Sequence, residues 1–172
     1  MELLEGLKTR RSVRKFRLEP VEGETLRKIL EAGTYAPTGR NLQSPLMVVL
    51  QDPATIAQVS KLNAAVLGSD TDPFYGAPTV VVVLADRNRS THVEDGSLVM
   101  GNLMLASHAL GVGSCWIHRA KEVFESPEGR ALLRKWGVPD DYVGVGNCIL
   151  GYCDGDYPET RPRKEGYVVW AK

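Results

Sequence analysis

The chain is poor in cysteine, poor in aromatic residues and carries no net charge. Three cysteines, Cys115, Cys148 and Cys153, stand among 172 residues. They are odd in number and lie in apolar surroundings, which argues against a disulfide framework. Cys115 and His118 are three apart, and Cys148 and Cys153 five apart, but the paired Cys-x-x-Cys spacing of zinc sites is missing. No metal site is expected, and the cysteines read as small core residues. Lysine plus arginine and aspartate plus glutamate number 21 each, for a formal net charge of +0. A neutral chain offers no bulk attraction to nucleic acid or to a membrane, so neither is expected as a partner and any anion site must be local. No apolar run is long enough to span a bilayer. Met1-Glu2-Leu3-Leu4-Glu5 carries acids where a secretory signal would be basic, so the chain reads as cytoplasmic.

Familiar catalytic patterns are absent as well. There is no GxxxxGK[ST] phosphate loop, no GxSxG nucleophile elbow and no HExxH. Gly111-Val112-Gly113 imitates the start of a dinucleotide fingerprint, but it follows a helical pattern instead of a strand. His108 falls inside that helix and reads as packed. The acidic pairs Glu94-Asp95 and Asp140-Asp141 read as solvated or capping residues.

What is present suits a globular chain: 43% hydrophobic and 24% charged residues, read as a single domain over 1–172. Leu3, Leu4 and Leu7 mark a short helix. Residues 22–35 form another, with Leu26, Ile29 and Leu30 on one face. Leu46 to Leu50 reads as a buried strand, residues 53–67 as a helix, and the β-branched run 79–85 as a central strand covered on both faces. Residues 92–110 form a long helix, apolar over so much of its circumference that it should be buried all round. Ser126-Pro127-Glu128 opens a helix that Gly137 and Pro139 close. Residues 145–152 are the last clear strand, and 167–170 are expected to add an edge strand. The mixture without strict alternation is α+β: a sheet between helices, with a long central helix.

Four segments carry chemistry. Arg10-Arg11-Ser12-Val13-Arg14-Lys15 concentrates positive charge where the first helix breaks, and arginines with a serine can grip a phosphate. Ala36-Pro37-Thr38-Gly39-Arg40-Asn41-Leu42-Gln43-Ser44-Pro45 holds amide and hydroxyl groups on a stiff loop, able to read the edge of a heterocycle. Turn chemistry alone explains that loop equally well. In Gly111 to His118, glycines allow close approach to a flat ligand, with Trp116 and Ile117 as a wall. Arg161-Pro162-Arg163-Lys164 is a second local basic cluster. Together they suggest one phosphorylated heterocycle, without choosing among nucleotides.

In their order along the chain, these segments resemble the nitroreductase-like FMN-dependent oxidoreductases, in their compact subgroup. The resemblance implies an α+β fold, a central mostly antiparallel sheet flanked by helices, in a homodimer with two FMN sites at its interface and the long central helix in that interface. Arg10, Ser12 and Arg14 match the positions that hold the flavin phosphate, ribityl chain and pyrimidine edge, with Arg11 close by. Pro37, Thr38, Gly39, Asn41 and Gln43 match a loop that reaches the ring from the other subunit, with threonine in place of the usual serine. Cys115, Trp116, Ile117 and His118 should lie along the ring near its reactive nitrogen. Arg163, and then Arg161 or Lys164, match tail contacts to the phosphate. His118 replaces a glutamate common in the family; it is read as a wall residue, with flavin tuning as the alternative. The implied activity is ping-pong hydride transfer from NADH or NADPH through FMN to a nitroaromatic, quinone or similar acceptor. No side chain need be a nucleophile. A flavin-storage protein, and a specialised flavin dehydrogenase or dehalogenase, are the alternatives.

Overall fold

The computed structural model describes residues 1–171. Four strands form one antiparallel sheet: β1 (Leu46–Leu50), β2 (Thr79–Asp86), β3 (Gly113–Ile117) and β4 (Tyr142–Gly151), in the order β1-β2-β4-β3. The run Thr-Val-Val-Val-Val-Leu-Ala explains why β2 is central. Its alternate side chains serve two separate cores. Val80, Val82 and Leu84 pack on one face with Val59, Phe124, Leu132 and Leu133. Val81, Val83 and Ala85 pack on the other with Leu26, Ile29, Met100 and Leu103.

The first face is covered by α3 (Pro53–Leu67), α5 (Ala120–Glu125) and α6 (Pro127–Lys135), the second by α2 (Gly23–Thr34) and α4 (His92–Ala109). A short helix, α1 (Leu3–Thr9), rests on α4. The caps follow the sequence. Asp52 accepts from the Thr55 amide at 2.8 Å ahead of Pro53, and Ser126 accepts from the Gly129 amide at 3.0 Å ahead of Pro127.

One element was not foreseen, and one expectation changes. Residues 113–117 form a strand, β3, and α5 begins after the two intervening residues His118 and Arg119. Residues 167–170 add no edge strand; Tyr167, Val168, Val169 and Trp170 are exposed. Within one chain, α4 buries one side only. Val99, Met100 and Leu103 face the sheet core, while Val93 and Leu98 stay open to solvent. No helix among the described residues is long and apolar enough to cross a membrane.

Candidate functional site

The basic segment is fastened along the free edge of β3. Ser12 bridges Ser114, Phe16 bridges Cys153, and the Val13 amide donates to the Ser114 carbonyl at 3.0 Å. Arg10 Nη1, Arg11 Nε, Arg11 Nη2 and the Ser114 hydroxyl are buried without a hydrogen-bond partner among the described residues. Unpartnered buried donors cost free energy, and three of these four atoms belong to cations. The set fits an anion that accepts several hydrogen bonds at once, as a phosphate monoester does.

Beside this segment lies a cavity of about 500 Å³. Cys115, Trp116, Ile117 and His118 form one wall, with Arg14, Tyr75, Asp72 and Arg119 around it. The Arg14 guanidinium sits 5.9 Å from the centre of the Tyr75 ring. Asp72 spends its carboxylate on its own loop, accepting from the Ser60 hydroxyl, the Phe74 amide at 2.9 Å and the Gly76 amide at 2.6 Å. Asn63, 0% exposed, donates to the His118 carbonyl at 2.8 Å and accepts from Arg119 Nε at 3.1 Å. It therefore fixes the end of β3 from helix α3.

The loop 37–43 is stiff for a different reason. Gly39–Asn41 makes a single 3-10 turn, and Arg40, Asn41 and Gln43 all have positive φ. The Gln43 amide donates to Thr38 Oγ1 at 3.0 Å, and Gln43 Nε2 donates to Asn41 Oδ1 at 3.3 Å. Asp95, 3% exposed near the start of α4, accepts from the Gly39 amide at 2.9 Å and from the Thr91 hydroxyl at 3.1 Å. A Cβ on Gly39 would come 2.3 Å from that hydroxyl oxygen, so only glycine lets the loop sit so close. Among the described residues, the two other positive-φ residues that are not glycine, Tyr75 and Arg119, line the cavity. Strain of this kind collects at functional sites.

These features do not meet within one chain. The loop enters β1 at Leu46, which pairs with Leu84; Ser114 pairs with Leu150, which pairs with Thr79. The two points differ by three strand spacings, about 14 Å, and by five residues along β2, roughly 17 Å. They occupy opposite corners of the sheet.

A model of the nitroreductase family matches residues 7–71 and 67–152. An NADH dehydrogenase of Thermus thermophilus is 43% identical over 94% of this chain and 92% of its own length. A protein of Archaeoglobus fulgidus described as an NADH dehydrogenase/NAD(P)H nitroreductase is 31% identical over 88% of this chain and 85% of its own. The chain belongs to the nitroreductase family. Its fold also matches the crystal structure of an FMN-bound nitroreductase from Bacteroides fragilis, with a TM-score of 0.92, 28% identity and 100% coverage of both chains.

In this nitroreductase-family chain, Arg10, Arg11, Ser12 and Arg14 lie on the same sheet edge as Cys115 to His118. Pro37, Thr38, Gly39, Asn41 and Gln43 lie elsewhere, and Arg161, Arg163 and Lys164 lie on an exposed tail, where Arg163 turns back to the Arg161 carbonyl at 2.8 Å. Sequence reasoning overlooked Asn63, Tyr75, Arg119 and the role of His108. His108 meets Thr9 Oγ1 at 2.9 Å and Tyr157 Oη at 3.0 Å, and Tyr157 Oη accepts from the Arg11 amide at 2.8 Å. The imidazole thus ties α1 and the tail to the basic segment. Partial burial, and then the charges of Arg10 and Arg11, hold its pKa below the usual 6.5. The Cys148 thiol is pushed up to about 12 by burial and by Cys115, so it is an inert core group.

Proposed function

We propose that this chain is an FMN-dependent oxidoreductase that carries electrons from NADH or NADPH to a nitroaromatic, quinone or similar electron-poor acceptor in a ping-pong cycle. The observation that carries this reading is the group of unpartnered buried donors on Arg10, Arg11 and Ser114, beside a cavity walled by Trp116 and Ile117. Arg10, Arg11 and Ser12 would hold the FMN phosphate, and Arg14 would face the pyrimidine edge. Cys115 to His118 would wall the ring. Bound there, FMN supplies hydride chemistry; the protein supplies position and electrostatics. A cation at the pyrimidine edge favours the anionic reduced ring.

The same reading makes the protein a homodimer. Loop 37–43 is preorganised yet lies at the far corner of its own sheet, so a second copy would bring it to the ring. The open side of α4, with Leu98 and Val93, offers apolar surface for that contact. Arg161, Arg163 and Lys164 would add phosphate contacts once the tail is seated. A single domain in the cytoplasm is part of this proposal.

The test is an absorbance spectrum of the purified protein, repeated under nitrogen with NADH or NADPH. Flavin bands that bleach, and return when a nitroaromatic or quinone is added, support the reading and name the donor. Flavin that stays oxidised with both donors points to a storage protein. A colourless protein that takes up no added FMN overturns the reading.

A further inference from the structure

Among the described residues lining the cavity, Arg119 is a cation whose terminal donors are free and whose side chain is anchored. Arg119 follows β3 in a left-handed backbone conformation, φ 72°, which disfavours any residue with a Cβ. A glycine there would relieve the strain but would present no charge. The side chain is also held: its Nε donates to the buried Asn63 Oδ1 at 3.1 Å. Its two terminal NH2 groups make no hydrogen bond or ion pair among the described residues. The other charges around the cavity are differently engaged. Asp72 is occupied by Ser60 and two backbone amides, and Arg14 packs over Tyr75.

A preordered guanidinium loses little rotamer entropy when it takes up a carboxylate through two parallel hydrogen bonds. With Asp72 turned to its own loop, no free carboxylate in the lining competes for it. We propose that the cavity selects acceptors bearing a carboxylate, an electron-poor aromatic acid rather than its neutral counterpart, and that Arg119 grips the carboxylate while Asn63 holds Arg119 in place. This rests on the oxidoreductase reading and gives it a substrate class. Arg119 is a specificity residue here; Asn63 is a positioning residue.

The test compares 4-nitrobenzoate with uncharged 4-nitrobenzamide, first as ligands and then as acceptors. Binding to the oxidised, FMN-loaded protein is measured by calorimetry without NADH or NADPH, so no turnover is involved. The wild type should prefer the acid by about tenfold, as expected for a charge-assisted hydrogen bond. The preference should shrink as salt is raised. Arg119→Gln should bring the two ligands within about twofold, and Arg119→Lys should restore part of the gap. Asn63→Ala should narrow it while leaving the charge in place. The ratio of kcat/KM for the two acceptors should follow the same order. Equal binding of acid and amide by the wild type, or a preference that survives Arg119→Gln, overturns the proposal. A protein that takes up no FMN sinks the oxidoreductase reading alone. The same calorimetric comparisons on the flavin-free protein then decide the anion preference by themselves.

Discussion

Replacing Arg11 by methionine should stabilise the flavin-free protein while weakening its hold on FMN. Arg11 Nε and Nη2 are buried without partners, and Nη1 donates to the Arg10 carbonyl at 2.5 Å. Each orphaned donor on this half-buried residue costs about 1 kcal/mol, at the low end of the usual range, and the one satisfied bond returns about 1 kcal/mol. Methionine keeps the stem of the side chain out to the place of Nε and removes all three nitrogen atoms, for a net gain of about 1 kcal/mol. In a protein of this size that raises the Tm by about 2–4 °C. Loss of one charge-assisted contact should weaken FMN binding by about 10- to 100-fold. The assay is thermal unfolding of flavin-stripped protein, with fluorescence titration of FMN into the same samples. Opposite signs in the two measurements are the expected result. If Arg11→Met lowers the flavin-free Tm by several degrees, or leaves the FMN Kd within twofold, the basic segment is an ordinary structural element and the phosphate assignment fails.

Acid should loosen the His108 latch. Its depressed pKa means that the unfolded chain takes up a proton more readily below pH 6.5, so stability is full above that value and falls as pH drops through the folded pKa. Tm measured between pH 8 and about pH 5 should fall more steeply for the wild type than for His108→Asn, which lacks the titration. Asp95→Ala removes the acceptor for Gly39 and Thr91 and should cost about 2 kcal/mol in urea unfolding, with faster amide exchange confined to the loop. Gly144→Ala would set a Cβ 2.2 Å from the Ala120 carbonyl oxygen, wedging β4 from α5, and should cost about 3 kcal/mol.

The strongest patterns in the sequence were also the most local ones. Uninterrupted β-branched residues marked β2, and Asp52-Pro53 and Ser126-Pro127 marked helix starts, because each signal is complete within a few residues. β3 was obscured because Gly113 and Ser114 are poor strand formers; they serve as strand only where Val13 and β4 close in on them. Tyr167 to Trp170 carries β-branched and aromatic residues, but a strand needs an edge to pair with, and the chain brings none to it. The basic segment and the polar loop were visible as candidate binding residues. Asn63 and Arg119 were not, since an asparagine in the middle of α3 and an arginine after β3 gain meaning only when 55 residues of chain bring them together.

The placement of the loop and the basic segment at opposite corners has a genetic consequence. If each site in the dimer draws its phosphate grip from one chain and its loop from the other, damage to the two halves is separable. A variant crippled at Arg10 and Arg11 and a variant crippled at Asn41 and Gln43 would each be inactive alone. Mixed dimers of the two would carry one doubly damaged site and one intact site. Random reassembly of equal amounts would then recover about a quarter of wild-type activity, since half the dimers are mixed and each has one working site of two. Two dead alleles in the same cell would complement one another, whereas two dead alleles within the same half would not.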